Sequence, residues 1–265
     1  MYRNLKTFVA FAGHSRSGHS IIGALLDAHP NIVIPHELDM VRRYNEKVWS
    51  TREELFNTLR TLSHKQSVGG VVGANRRPGG PYHVPNMWQG KHEDILVIGD
   101  KGGPEMAYRL GREPELFDKM VEIVNLPMKW IFVYRNPYDN ITTVEKKHKN
   151  NPARPVHNLD EAIEDYFWYC EENIALLEQA NANPNCDVIY IKQENFINHP
   201  RRVLHRLTNF LDLPLNRSYI NTCASIVFKT PRQTRWDRPW SQEHIHKVAS
   251  RASKYSWLAN YTFEN

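Results

Sequence analysis

The chain has 265 residues, 41% of them hydrophobic and 24% charged, with 34 Lys plus Arg against 29 Asp plus Glu; this balance excludes the disordered and fibrous classes. At roughly 100 to 200 residues per domain, the length predicts a single domain over 1–265 whose core needs no staples. The formal charge of +5 comes from dispersed basic residues without a long basic run, which points to a small anionic ligand rather than to nucleic acid.

In chain order, Thr7 to Ala12 is short and β-prone, ends at Gly13, and hands over to Ser20 to Ala28, where Ile21, Ile22, Leu25 and Leu26 repeat at helical spacing. No stretch reaches the ~18 to 20 apolar residues of a spanning helix, so no signal peptide, anchor or membrane partner is predicted. Further β-like runs follow at Ile32 to Ile34, Ile95 to Ile98, Trp130 to Tyr134 and Val188 to Ile191. Between them lie helix-period stretches at Arg52 to Ser63, Tyr138 to Lys149, Leu159 to Ala180 and Arg201 to Leu211. This alternation predicts an α/β fold, a three-layer α/β/α arrangement around a central parallel sheet. The Gly- and Pro-rich segment Gly69 to Gly90 has no helical or strand period, and the insertion that contains it, about His64 to Asp94, is expected to cover a substrate site. Its Arg76, Arg77, Tyr82, His83 and Trp88 are available to meet an acceptor. Cys170, Cys186 and Cys223 form no C-x-x-C pair, so zinc and disulfides are not expected, and a reducing, cytoplasmic setting is. Of three sequons, at Asn140, Asn216 and Asn260, the first lies inside a motif described below, where a glycan would be intolerable. No exposed apolar stripe separates an oligomer contact from core, so the oligomeric state stays open.

Gly13-His14-Ser15-Arg16-Ser17-Gly18-His19-Ser20 follows a predicted strand and opens a predicted helix. Successive backbone N–H groups can there face one concavity, with Ser17, His19 and Ser20 adding donors and Arg16 a positive charge, a site for phosphate or sulfate. The spacing also fits G-x-x-x-x-G-K-[ST] with His19 in place of the Lys, and Asp100 ends an apolar run as a magnesium-binding acid would. A P-loop ATP-dependent kinase is therefore one alternative, and a non-catalytic nucleotide or anion sensor is another. Downstream, Arg135 leaves the end of a buried strand, Pro137 suits a first helical turn, and Thr143 lies roughly two turns on, so guanidinium and hydroxyl could converge on one phosphate.

These residues resemble the sulfotransferases that use 3'-phosphoadenosine 5'-phosphosulfate (PAPS), and are closer to the carbohydrate, tyrosyl and bacterial types than to the cytosolic phenol and steroid enzymes. Ser15 to Ser20 matches the family's strand–P-[RK]-S-G-T-[ST]–helix signature, with Ser15 for Pro and His19 for Thr. Trp130 to Asp139 matches its R-[ND]-P-x-D strand end, with Thr143 at the hydroxyl position. Val188 to Pro200 and Phe210-Leu211-Asp212-Leu213-Pro214 look like structural family segments, and Phe228 to Trp236 resembles the basic loop over the 3'-phosphate. The resemblance implies a P-loop NTPase-like sulfotransferase fold and in-line transfer of a sulfuryl group to a hydroxyl or amine of a small-molecule or carbohydrate acceptor. It also implies release of 3'-phosphoadenosine 5'-phosphate (PAP) and no metal. It implies a cofactor site of Arg16, Ser17, Gly18, His19, Ser20, Arg135 and Thr143, with Arg232, Arg235 and Trp236 from the basic loop. For the base it implies Glu37, with His36 in reserve, Lys101 stabilising transferred charge and Arg16 the leaving phosphate. If His19 donates to the sulfuryl group, activity falls as pH rises through its pKa.

Overall fold

The computed structural model describes residues 2–69, 75–148 and 155–265. Its strands are β1 (Thr7–Gly13), β2 (Ile32–Val33), β3 (Val97–Asp100), β4 (Met128–Tyr134) and β5 (Cys186–Lys192), all parallel, in the order β2-β3-β1-β4-β5. The helices are α1 (His19–Leu26), α2 (Met40–Asn45), α3 (Arg52–Ser67), α4 (Pro104–Arg112), α5 (Pro114–Val124) and α6 (Pro137–His148). They continue with α7 (Leu159–Ala182), α8 (Gln193–Asn198), α9 (Pro200–Phe210), α10 (Arg217–Ser225) and α11 (Gln242–Ala252), with a short 3-10 turn at Thr234–Asp237. The α/β/α arrangement with a parallel sheet is as the alternating pattern predicted.

Strand alternation divides the core between the two faces of the sheet. Phe8, Ala10 and Ala12 of β1, with Trp130 and Phe132 of β4, pack on Phe56 of α3, Met106 of α4, Phe117 of α5 and Leu176 of α7. Val9, Phe11, Ile131 and Val133 point the other way, onto Ile22 and Leu25 of α1, Leu204 and Leu207 of α9 and Tyr219 of α10. A third cluster joins Ile141 of α6, Phe167 of α7 and Val248 of α11.

Every predicted strand is present, but β3 begins two residues later than the apolar run, because Leu96 and Val97 both donate their N–H to the Asn31 carbonyl as the chain enters the sheet. The predicted helices are present as α1, α3, α6, α7 and α9; the end of the third, at Lys149, lies outside the described residues. α3 starts at a full capping box between Thr51 and Glu54 and runs on to Ser67, into the expected insertion. Residues 75–94 carry neither helix nor strand, and 70–74 of the insertion lie outside the described residues.

After β1 the chain winds to β2 and β3 on one side, then returns to place β4 and β5 on the other. The reversal opens a crevice at the carboxyl ends of β1 and β4, where open parallel sheets bind ligands. The loops leaving β1, β3 and β4 all emerge at that edge.

Candidate active site

The loop after β1 is shaped by its glycines. Gly13 has φ 123°, and a Cβ there would lie 2.2 Å from the Val133 carbonyl oxygen of β4. Gly18, the residue before α1, has φ 101°, and Arg16 is also left-handed at φ 66°. The loop is tied to α6 by Asn140, whose Nδ2 donates to the Ser15 carbonyl at 3.1 Å and to Ser17 Oγ at 3.0 Å. Asn140 is itself buried.

A cavity of about 390 Å³ opens over this loop. Ser15, Arg16, Gly18, His19 and Ser20 line one wall, Arg135, Thr143 and Arg232 a second, and Glu37, Lys101 and Glu105 a third. Arg135 is buried at the end of β4. It donates to the Arg16 carbonyl at 3.3 Å, the Arg232 carbonyl at 3.0 Å and Thr234 Oγ1 at 3.4 Å, while its Nε has no partner among the described residues. Thr143 Oγ1 donates to the Asp139 carbonyl at 2.8 Å and meets Thr234 Oγ1 at 3.0 Å. The Arg135 guanidinium and the Thr143 hydroxyl thus both meet Thr234 Oγ1, and both residues line the cavity.

At the other end, the buried Lys101, 1% exposed, points Nζ at Glu37 Oε1 (2.5 Å) and reaches Ser20 Oγ at 3.5 Å. Glu37 is half exposed, at 51%. Burial pushes the Glu37 carboxyl up, but Lys101, His36 and Arg16 together outweigh it and hold it below the usual range. The same burial lowers the Lys101 ammonium, against the pull of Glu37. Glu37 is thus an ionised carboxylate at neutral pH, able to take a proton.

Several expected residues lie elsewhere. Ser17 is fully buried beneath the loop and its hydroxyl is occupied by Asn140. His36 sits 3.6 Å from Glu37 Oε2 but does not line the cavity, and burial with Lys101 nearby pushes it down to about 4. Arg235 turns inward to Asp139, donating Nη1 to Oδ2 at 2.6 Å and its backbone N–H to Oδ1 at 2.8 Å. Trp236 is 52% exposed, edge-on to Phe263 and off the cavity. Of the insertion, Tyr82 alone of the five named side chains lines the cavity; Arg76 is fully buried in an ion pair with Asp27 at 3.2 Å.

His19 lines the cavity but is buried, and burial with Lys101, His14 and His36 nearby lowers it well below 6.5. It is neutral across the neutral range, which removes the expected fall of activity with pH from this residue near pH 6.5. Its Nε2 is buried without a partner among the described residues.

Asp100 does not stand where the kinase alternative would need a magnesium acid. It is fully buried, off the cavity, and both carboxylate oxygens accept backbone N–H groups, from Leu38 and Met40 at 3.0 Å each. Burial pushes it up to about 7, so the folded chain keeps a proton that the unfolded chain, with an ordinary Asp near ~3.9, has released. Its contribution to stability is full below the unfolded value and is lost as pH rises through about 7. Urea unfolding of wild type and Asp100→Asn should show the wild type losing stability relative to the variant between pH 4 and pH 8; a difference independent of pH would contradict this.

Sequence reasoning missed Asn140 as a loop tie, Thr234 between Arg135 and Thr143, and Glu105, Gln193, Phe196 and Thr230 in the lining. Thr230 and Thr234 fall within the basic loop the sequence singled out, so only their roles were hidden.

No protein-family model matches the chain, and no curated protein matches it by sequence. Solved structures do match. The sulfotransferase domain of the Synechococcus PCC 7002 olefin synthase superposes with a TM-score of 0.51 at 17% identity, over 93% of this chain and 88% of that one. The sulfotransferase domain from the curacin biosynthetic pathway gives 0.51 at 15%, over 94% and 98%. The chain has the P-loop-like α/β fold of the sulfotransferases.

Proposed function

We propose that the protein is a sulfotransferase that moves a sulfuryl group from PAPS to a hydroxyl or amine of a small-molecule or carbohydrate acceptor. The observation that carries this reading is the meeting, in one cavity, of a glycine loop bearing Arg16 with the Arg135–Thr143 pair on one side and the Lys101–Glu37 pair on the other. The unpartnered Arg135 Nε, Thr143 and Arg232 fit the 3'-phosphate, and the loop N–H groups with Ser20 and Arg16 fit the 5'-phosphosulfate. The acceptor oxygen attacks sulfur as the sulfur–oxygen bond to the 5'-phosphate breaks; the acceptor proton passes to Glu37, and the electron pair stays on PAP. Arg16 and the loop offset charge on the leaving phosphate, while Lys101 faces the transferred group. The insertion acts as the acceptor-side cover through Tyr82, within one sulfotransferase domain spanning 1–265. Three free thiols and the lack, among the described residues, of a helix long and apolar enough to cross a membrane favour a cytoplasmic setting.

The kinase reading loses its magnesium acid, because Asp100 spends both oxygens on backbone amides away from the cavity. Calorimetric titration should show PAP binding without metal and unaffected by EDTA, weakened at least tenfold in Arg135→Ala. Preference for ATP with magnesium, or no PAP binding, would refute the proposal. PAP binding with no transfer to any acceptor would favour a sensor.

A further inference from the structure

We propose that Asp100 is a positioning residue that clamps the backbone turn carrying Glu37 and so fixes where that carboxylate stands over the cavity. The clamp rests on geometry alone; that it serves catalysis rests on the sulfotransferase reading above. The turn needs holding. Glu37 and Asp39 both sit at φ 53°, a left-handed conformation that Asp can adopt in turns and caps but that Glu keeps only where its surroundings impose it. The two residues that alternate with them, Leu38 and Met40, donate their N–H groups to Asp100 Oδ1 and Oδ2, 3.0 Å each. One carboxylate thereby spans both left-handed positions.

The neighbouring residue works on the same target. Asp100 turns from the end of β3 to the turn's backbone, and Lys101 turns to the Glu37 side chain at 2.5 Å. The backbone joins in: Glu37 donates its N–H to the Lys101 carbonyl, and Lys101 its own to the Pro35 carbonyl, both at 3.3 Å. From the far side Gln66 brackets His36, accepting its N–H and donating to its carbonyl, each at 2.7 Å. A fully buried carboxylate at a strand end is expensive where an apolar side chain would fill the space, so packing alone does not account for Asp100. Its two directional bonds do.

The test compares wild type, Asp100→Asn, Glu37→Gln and the double variant by amide hydrogen exchange, PAP affinity and release of PAP from PAPS. In wild type the Leu38 and Met40 amides should be protected at least tenfold over that of Asp39, and Asp100→Asn, which keeps one acceptor oxygen and turns an NH2 to the other amide, should erase the protection of one of the two. PAP affinity should stay within twofold, kcat should fall at least tenfold with KM for PAPS unchanged, and adding Asp100→Asn to Glu37→Gln should cost nothing further. Absence of protection in wild type overturns the clamp even if the variant does not fold. Unchanged kcat in Asp100→Asn, or an additive loss in the double variant, overturns its link to Glu37. A wild type that neither binds PAP nor turns over PAPS refutes the sulfotransferase reading, while the exchange data still decide the clamp.

Discussion

Glu37→Gln should slow PAP release from PAPS by about 10² to 10⁴, the range a positioned general base supplies, while PAP affinity stays within twofold. Glu37 lines the same cavity as Arg135 and Thr143 but is paired with Lys101 rather than with them, so under the proposed function its loss should act on chemistry rather than on nucleotide binding. Glutamine keeps the size and the acceptor oxygen facing Lys101 but cannot take a proton, which separates base chemistry from packing. The pairing with Lys101 at 2.5 Å sets a further expectation. Because Lys101, His36 and Arg16 hold Glu37 below the usual carboxylate range, the acidic limb of the pH–rate profile should lie below the range of an ordinary Glu, and the profile should be flat near pH 6.5 where His19 stays neutral. Steady-state rates across pH check both points. A rate unchanged in Glu37→Gln would remove it as the base, and Glu105, which also lines the cavity, would be the next carboxylate to replace.

The parts of this site legible in the sequence are those whose geometry is local. A strand, a glycine loop and a helix form one contiguous unit, and Arg135 to Thr143 forms another, so spacing alone places their donors. The parallel sheet was legible for the same reason, since period-2 and period-3.6 runs alternate along the chain. Asp100 lent support to the kinase alternative because its actual partners, the N–H groups of Leu38 and Met40, are backbone amides and leave no trace in residue identity. Arg76 was misread because an Arg in a Gly- and Pro-rich segment ordinarily faces water; its burial depends on Asp27, 49 positions away along the chain. Arg235 and Trp236 illustrate a third cause. They were expected in a basic loop over a phosphate, but a 3-10 turn over Thr234–Asp237 sets Thr234 against Arg135 and Arg235 against Asp139, an orientation that composition does not encode.

Asp27→Ala should be the most destabilising single change outside the hydrophobic core, at about 3 to 5 kcal/mol, the cost of leaving one buried charge without its partner. Asp27 is a buried hub at the end of α1. Its Oδ1 accepts the Ile34 N–H at 2.8 Å, Ser63 Oγ donates at 2.9 Å, and Oδ2 accepts the Gly90 N–H at 3.3 Å and pairs with Arg76 at 3.2 Å. It therefore joins the exit of β2, helix α3 and both ends of the described insertion. The pair is asymmetric. Without Arg76, the carboxylate keeps three donors and, already pushed up by burial, can take a proton. Without Asp27, the guanidinium stays charged, and among the described residues its Nε and Nη2 lack partners and Nη1 keeps the Ile34 carbonyl. Urea unfolding should accordingly rank Asp27→Ala below Arg76→Ala, with a double variant less destabilised than the sum of the two, since each single change strands what the other removes. Hydrogen exchange should show the loss first in residues 82–90 and around Ile34, where Gln89 adds a second tie by donating to the Ala24 carbonyl at 3.0 Å. Equal destabilisation by the two single changes, with strict additivity, would mean that Arg76 and Asp27 do not act as a buried pair and that the insertion is held to α1 by Gln89 and its apolar contacts instead.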